Sequence, residues 1–156
     1  MAEIDVRIQV NAPQEKVWNV ISKVDNDPNY WKGITSIRNI SKDRNVITRE
    51  VTLVNGSKSY QKVILFPKEG IHIRFMKGPI IGIKDILLVN NGNVTILEAQ
   101  LDYKSSGLTR LIPKSILEEL QFEAELALQL IKEEVEEKPS RFPKEKRKLW
   151  ADLIND

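Results

Sequence analysis

Hydrophobic and polar residues alternate strictly near the start of the chain. From residue 4 to residue 10 every second residue is apolar, which is the pattern of a β-strand with one buried face. Pro13 then ends the alternation, and apolar residues at helical spacing predict a short helix over residues 14–22. Pro28 breaks that helix, and a second short helix or turn follows it.

A different pattern covers the middle of the chain. Six apolar runs are separated by short sequences of turn-forming residues. Asn55-Gly56 and Asn91-Gly92 are the clearest hairpin turns, because both residue types tolerate positive φ angles. The runs cover residues 34–41, 45–54, 58–66, 71–77, 80–89 and 93–104. Strands joined by such short turns predict an antiparallel meander.

One long helix is predicted after the last strand. Pro113 suits a first helical turn and Pro139 ends the pattern, so the helix spans residues 113–138, roughly 38 Å at 1.5 Å per residue. Its apolar face consists of Ile116, Leu120, Ala124, Ala127, Ile131 and Val135. Such a helix buries its apolar face on the concave side of the sheet. The predicted fold class is therefore α+β, with a curved seven-stranded antiparallel sheet over a long C-terminal helix.

The chain divides at about residue 138. Residues 1–138, the predicted domain, carry 19 basic and 19 acidic side chains, whereas residues 139–156 carry five basic and three acidic ones. This basic extension is predicted to form a short amphipathic helix over residues 143–154, anchored by Trp150. A segment this short needs a surface to be stable. We expect it to dock on its own domain or on a second copy, giving a homodimer, with a membrane surface or another partner protein as the alternative.

Composition excludes several classes of function. The chain has no cysteine, which removes disulfides, thiolate catalysis and cysteine-bound metals. His72 is the only histidine, so a multi-histidine metal site is excluded, and no glycine-rich phosphate loop is present. No apolar run approaches the roughly 20 residues of a membrane span, and the balanced charge argues against a nucleic-acid partner. We expect a cytoplasmic protein without metal, cofactor or catalytic residues.

Three segments resemble the START-like superfamily, also called SRPBCC or helix-grip. They are the strand-to-helix connection at residues 10–18, the aromatic turn at residues 27–34, and the hairpin at residues 78–95. The likeness is greatest to the polyketide cyclase/dehydrase and coenzyme Q-binding-like group, and it covers about residues 3–138. It implies a helix-grip fold that holds a hydrophobic small molecule between sheet and helix. Because the superfamily spans carriers, receptors and cyclases, the resemblance fixes no single function.

A cavity of about 300–1,000 Å³ is therefore expected between the sheet and the long helix. Tyr30 and Trp31 are predicted at its mouth, because they combine apolar area with a polar group. The other predicted ligand-binding residues are Arg49, Phe75, Ile83, Asp85, Leu87, Leu97, Leu101, Tyr103, Leu120 and Ala124. For each apolar member the alternative is ordinary core packing.

Two mid-strand charges accompany these apolar residues. Asp85 is in phase with Ile83, and Arg49 is in phase with the apolar positions of its own strand. If those faces point inward, both charges must pair with each other, with water or with a ligand group. Ile86 and Leu88 make the opposite face of the Asp85 strand apolar too, so its inward placement stays open. The alternative for both Asp85 and Arg49 is an exposed charge in the middle of a strand.

The missing catalytic constellation favours a non-catalytic binder or carrier of a lipid, isoprenoid, quinone or polyketide-like compound. One alternative is a cyclase or dehydratase that acts on a carbonyl compound, with Asp85, Arg49 and Tyr103 as acid–base groups. Another is a protein-interaction module without a ligand.

Overall fold

A computed structural model describes residues 2–107 and 109–137. The strands are β1 (Ala2–Val10), β2 (Ile34–Asp43), β3 (Val46–Leu53), β4 (Lys58–Phe66), β5 (Gly70–Lys77), β6 (Ile80–Asn91) and β7 (Val94–Ser105). The helices are α1 (Gln14–Ile21), a short 3₁₀ helix (Val24–Asn29) and α2 (Lys114–Glu136). The predicted helix over residues 143–154, with Trp150, lies outside the described residues.

All seven strands form one antiparallel sheet in the order β1-β7-β6-β5-β4-β3-β2. Strands β2 to β7 follow one another as a meander, and β1 lies beside β7 at one edge. The apolar alternation of β1 falls opposite that of β7, with Ile4 across from Leu101 and Ile8 across from Leu97. Both strands therefore bury the same face, and the predicted α+β helix-grip architecture is confirmed.

Helix α2 is buried unevenly along its length. It packs on β1, β7 and α1, and its buried side chains are Ala124, Ala127, Leu128, Ile131 and Val135. Near its C-terminus, Lys132 Nζ donates to the carbonyl oxygen of Gln9 at 2.6 Å, and Glu136 accepts from the backbone N–H of Asn11 at 2.8 Å. The second half of α2 is thus fixed to the β1–α1 connection, whereas Leu120 in the first half is only partly buried.

The buried and outer faces of strand β6 are the reverse of those predicted. Lys84 lies across from Ile73 on β5 and Leu101 on β7, two buried residues, so Lys84 belongs to the concave face. The inward placement of Ile83, Asp85 and Leu87 is therefore wrong: these three lie half-buried on the outer face. Apolar residues occupy both faces of this strand, so only its register with its neighbours decides which face is inside.

Asp85 has a partner on that outer face. Its Oδ1 lies 2.6 Å from Nδ1 of His72, which stands directly across the β5–β6 ladder. Asp85 consequently does not pair with Arg49, and it does not face the space between sheet and helix.

We expect Leu128→Ala to lower the free energy of unfolding by about 2–5 kcal/mol, because Leu128 is fully packed between α2 and the sheet. Leu120→Ala, on the same helix, should cost less, since Leu120 is only partly buried. Urea denaturation of both variants measures the difference. Equal losses would contradict the uneven burial of α2.

Candidate functional site

Arg49 is the most deeply buried charge in the described chain. It stands in the middle of β3 with a relative exposure of 0%. One terminal nitrogen donates to Asp27 Oδ2 at 2.9 Å, Nε donates to Gln61 Oε1 at 3.1 Å, and the other terminal nitrogen donates to the carbonyl oxygen of Val24 at 3.2 Å. Arg49 faces inward, which is one of the two placements that its alternation left open, and it joins β3 and β4 to the 3₁₀ helix.

Asp27 is the acidic partner and also shapes the turn that follows it. Burial raises the pKa of its carboxyl group, while the positive charges of Arg49 and Lys84 act in the opposite direction. The carbonyl oxygen of Asp27 accepts the backbone N–H groups of Tyr30 at 3.0 Å and Trp31 at 2.8 Å. The ion pair thereby fixes the backbone that places Trp31 inside the protein.

Trp31 covers a buried lysine. Lys84 Nζ lies 3.5 Å from the centroid of the Trp31 ring and 5.8 Å from that of Phe75, and the whole residue is 4% exposed. Burial lowers the pKa of Lys84 to about 8, against the opposing attraction of Glu123 and Asp27. Lys84 was not predicted from the sequence, although its phase with Ile86 on the buried face of β6 was the available signal.

A cavity of about 180 Å³ lies beside Lys84, between the concave face of the sheet and the first half of α2. This is smaller than the expected volume, because Trp31, the Phe75–Tyr103 ring pair and the long side chains of Arg49 and Lys84 occupy the concave face. The lining consists of Gly33, Ile34, Leu53, Val54, Asn55, Ser59, Gln61, Phe75, Pro79, Ile80, Lys84, Tyr103, Leu120 and Glu123.

Two aromatic rings that line the cavity meet beside a glycine. Gly82 stands between Phe75 on β5 and Tyr103 on β7, whose ring centroids are 5.0 Å apart. The φ angle of Gly82 is +139°, and a Cβ there would lie 2.1 Å from the carbonyl oxygen of Asp102. Burial raises the pKa of the Tyr103 hydroxyl well above its usual value, so Tyr103 stays a hydrogen-bond donor.

Glu123 supplies a carboxylate to the cavity wall from α2. A Cβ on Gly33 would lie 2.6 Å from Glu123 Oε2, so the glycine makes room for the carboxylate. Sequence reasoning missed Glu123; its position beside Ala124, on the edge of the apolar face of α2, was the only signal.

The remaining predicted residues are divided among several places. Those that line the cavity are Phe75, Tyr103 and Leu120. Tyr30 and Trp31 border a separate small void of about 10 Å³, together with Asp27. Other members belong to the buried core, namely Leu97, Leu101 and Ala124. Asp85 and Leu87 instead border an open groove of about 460 Å³ on the outer face of the sheet.

Within residues 2–107 and 109–137, no group of three or more histidine, aspartate or glutamate side chains is placed to hold a metal ion. Over the same residues, no helix is both long enough and apolar enough to cross a membrane.

Residues 10–129 match a protein family described as polyketide cyclase/dehydrase and lipid transport. No curated protein matches the sequence significantly. Among solved structures, TTHA0849 from Thermus thermophilus is similar with a TM-score of 0.70 and 16% identity, covering 89% of this chain and 100% of that one.

Two further solved structures share the fold. The Zhui aromatase/cyclase from Streptomyces sp. R1128 has a TM-score of 0.69 and 16% identity, over 89% of this chain and 96% of that one. A START superfamily protein from Mycobacterium smegmatis has a TM-score of 0.63 and 16% identity, over 86% of this chain and 97% of that one.

Arg49→Met should lower the free energy of unfolding by about 3–5 kcal/mol, because it leaves the buried Asp27 carboxylate without its main partner. The double variant Arg49→Met/Asp27→Asn should recover part of that loss. Arg38→Met is the control, since Arg38 pairs with Glu50 at the surface and should cost less than about 1 kcal/mol. Similar losses from both single variants in urea denaturation would contradict a buried ion pair.

The lowered pKa of Lys84 predicts that the free energy of unfolding rises with pH. The folded protein releases the Lys84 proton near pH 8, while the unfolded chain keeps it until about pH 10.5, so the unfolded state binds more protons in between. The free energy of unfolding of the wild type, relative to Lys84→Met, should rise by up to about 3 kcal/mol across that interval. Urea denaturation of the wild type and of Lys84→Met between pH 7 and pH 10.5 measures this difference. A difference that does not change with pH would show that the Lys84 ammonium is solvated.

Proposed function

Because this chain belongs to the polyketide cyclase/dehydrase and lipid transport family, we propose that it binds an apolar small molecule in the cavity between the sheet and α2. The observation that carries the proposal is the cavity itself, about 180 Å³ in volume and bordered by Phe75, Ile80 and Leu120. A dry cavity of about 150 Å³ is known to hold benzene, so this one accommodates a ring or a short chain. A larger lipid, isoprenoid, quinone or polyketide-like molecule would extend through the mouth.

The polar groups around the cavity support a ligand with an oxygen-bearing end. Lys84 and Tyr103 offer N–H and O–H donors, whereas Glu123 offers a carboxylate acceptor. A mainly apolar site with a few converging polar groups is typical of small-molecule binding, since the apolar walls give affinity and the polar groups give orientation.

A second candidate function is a cyclase or dehydratase reaction on a carbonyl compound. Three groups of the cavity favour it: the protonated Tyr103 hydroxyl can donate to a carbonyl oxygen, and Glu123 or the Lys84 amine can accept a proton from carbon. Tyr103 belongs to the acid–base set expected from sequence, whereas Lys84 and Glu123 take the places of Asp85, which lies outside, and Arg49, which is held by Asp27. The two functions differ in the molecule that is recovered after incubation with the ligand. A carrier releases the ligand unchanged, whereas an enzyme releases a product.

The balanced charge of residues 1–138 supports a small-molecule partner over a nucleic acid. A cytoplasmic location and self-association through residues 139–156 remain predictions of the same proposal. Cell fractionation tests the first, and size-exclusion chromatography of a chain truncated after residue 138 tests the second.

Filling the cavity should abolish ligand binding. Leu120→Trp places a larger ring in the cavity wall, so native mass spectrometry of the purified variant should lose any co-purified molecule, and added 1-octanol should no longer bind. Phe122→Trp, on the exposed side of the same helix, is the matched control and should bind as the wild type does. A wild-type protein that carries no small molecule and fails to bind 1-octanol would contradict the proposed function.

A further inference from the structure

Lys84 is a buried amine that the ligand-binding proposal does not fully use. It lines the cavity and is 4% exposed, and its Nζ lies near the faces of two aromatic rings. Within residues 2–107 and 109–137, Lys84 belongs to none of the ion pairs. Lysines at protein surfaces keep their ammonium group in water, so this placement needs a reason.

Such a site favours the neutral amine, which is the nucleophilic form of lysine. Burial and the nearby positive charge of Arg49 both lower the pKa of Lys84, to about 8. At pH 7 roughly a tenth of the side chain is then uncharged, against fewer than one in a thousand for an ordinary lysine. Desolvation in an apolar pocket and a neighbouring cation are the two features that activate lysines for covalent chemistry with carbonyl groups.

We propose that Lys84 forms an imine with an apolar aldehyde or ketone that enters the cavity. This inference rests on the proposed ligand cavity and names the chemical class of the molecule that occupies it. It assigns Lys84 as a residue that contacts and reacts with the ligand.

The reaction needs no oxidant or cofactor. The Lys84 nitrogen adds to the carbonyl carbon and gives a carbinolamine, in which the former carbonyl oxygen is a hydroxyl group. This hydroxyl group then leaves as water, and a carbon–nitrogen double bond remains. The two hydrogens of the water are the two hydrogens that the amine has lost. Protonation of the imine by solvent gives an iminium ion, and the Trp31 ring face that now covers the ammonium would stabilise it in the same way.

Tyr103 and Glu123 are positioned to assist these proton movements. Lys84 stands across from Leu101, and Tyr103 lies two residues further along on the same face of β7. Side chains in this diagonal relation are about 7–8 Å apart at their bases, within reach of a long and an aromatic side chain. Tyr103 can donate to the carbonyl oxygen, and the Glu123 carboxylate, on the opposite wall, can accept a proton from the nitrogen after it adds and return it to the departing hydroxyl group.

The charges around the cavity favour a neutral carbonyl compound over a carboxylic acid. Lys84 and Arg49 are balanced by Asp27 and Glu123, so the buried group is formally neutral. A ligand carboxylate would add an unbalanced negative charge beside Glu123, which is costly in a desolvated site. An uncharged aldehyde or ketone adds no charge to the site. A molecule of about eight to ten heavy atoms also suits the size of the cavity, which is slightly larger than one that holds benzene.

Reductive trapping tests the inference on the full chain. The protein is incubated at pH 7 with an equimolar amount of octanal and sodium cyanoborohydride, which reduces an iminium ion to a stable secondary amine. Because the chain has 16 lysines, the site of labelling is the informative measurement. We expect one octyl group per chain, located at Lys84 by peptide mapping, and at least tenfold less label at this position when 1-octanol competes for the cavity.

Two lysine substitutions test whether the label depends on Lys84. Lys84→Arg keeps the positive charge but cannot form an imine, so the single label should disappear, while Lys62→Arg on the outer side of β4 should leave it unchanged. Circular dichroism verifies the fold of both variants. If Lys84→Arg does not fold, peptide mapping and competition on the wild type decide alone.

The outcomes separate this inference from the proposed function. Label spread over exposed lysines, with Lys84 unmodified although 1-octanol binds, would overturn imine formation and leave the cavity intact as a binding site. Failure of both 1-octanol binding and Lys84 labelling would overturn the ligand-binding proposal itself.

Discussion

The buried guanidinium of Arg49 is the constraint on which the candidate site depends. A fully buried charge is tolerated only when its donors are satisfied, and Asp27, Gln61 and the Val24 carbonyl oxygen satisfy them. These partners come from β4 and from the 3₁₀ helix, which has little apolar surface of its own. The ion pair therefore decides where this helix lies against the sheet.

The position of the 3₁₀ helix in turn decides the environment of Lys84. Hydrogen bonds to the Asp27 carbonyl oxygen direct Trp31 inward, and its ring covers the Lys84 ammonium. Burial lowers the pKa of Lys84, and the nearby positive charge of Arg49 lowers it further. A polar network that stabilises the turn thus also prepares a reactive amine beside the cavity.

Helix α2 helps to form the cavity because it is attached to the rest of the protein mainly through its second half. Its second half carries small and branched residues that pack closely on β1 and α1, and Lys132 bonds to the backbone of β1. Its first half meets the sheet where the Phe75–Tyr103 ring pair rises above Gly82. The two rings and the first half of α2 line the same cavity, which occupies the space between them.

The sequence alone determined the strand count, the turns, the long helix and the inward faces of β3, β5 and β7, because a polar opposite face makes a period of two unambiguous. It also indicated Arg49, Phe75, Tyr103 and Leu120 as residues of the concave side. Strand β6 was assigned the wrong way because both its faces are apolar, so Asp85 was chosen where Lys84 belongs. Asp27, the acidic partner of Arg49, lies in a short segment without periodicity, and the cavity volume depends on how side chains from seven elements fit together. Such long-range contacts leave no trace in local pattern, so only the tertiary structure decided them.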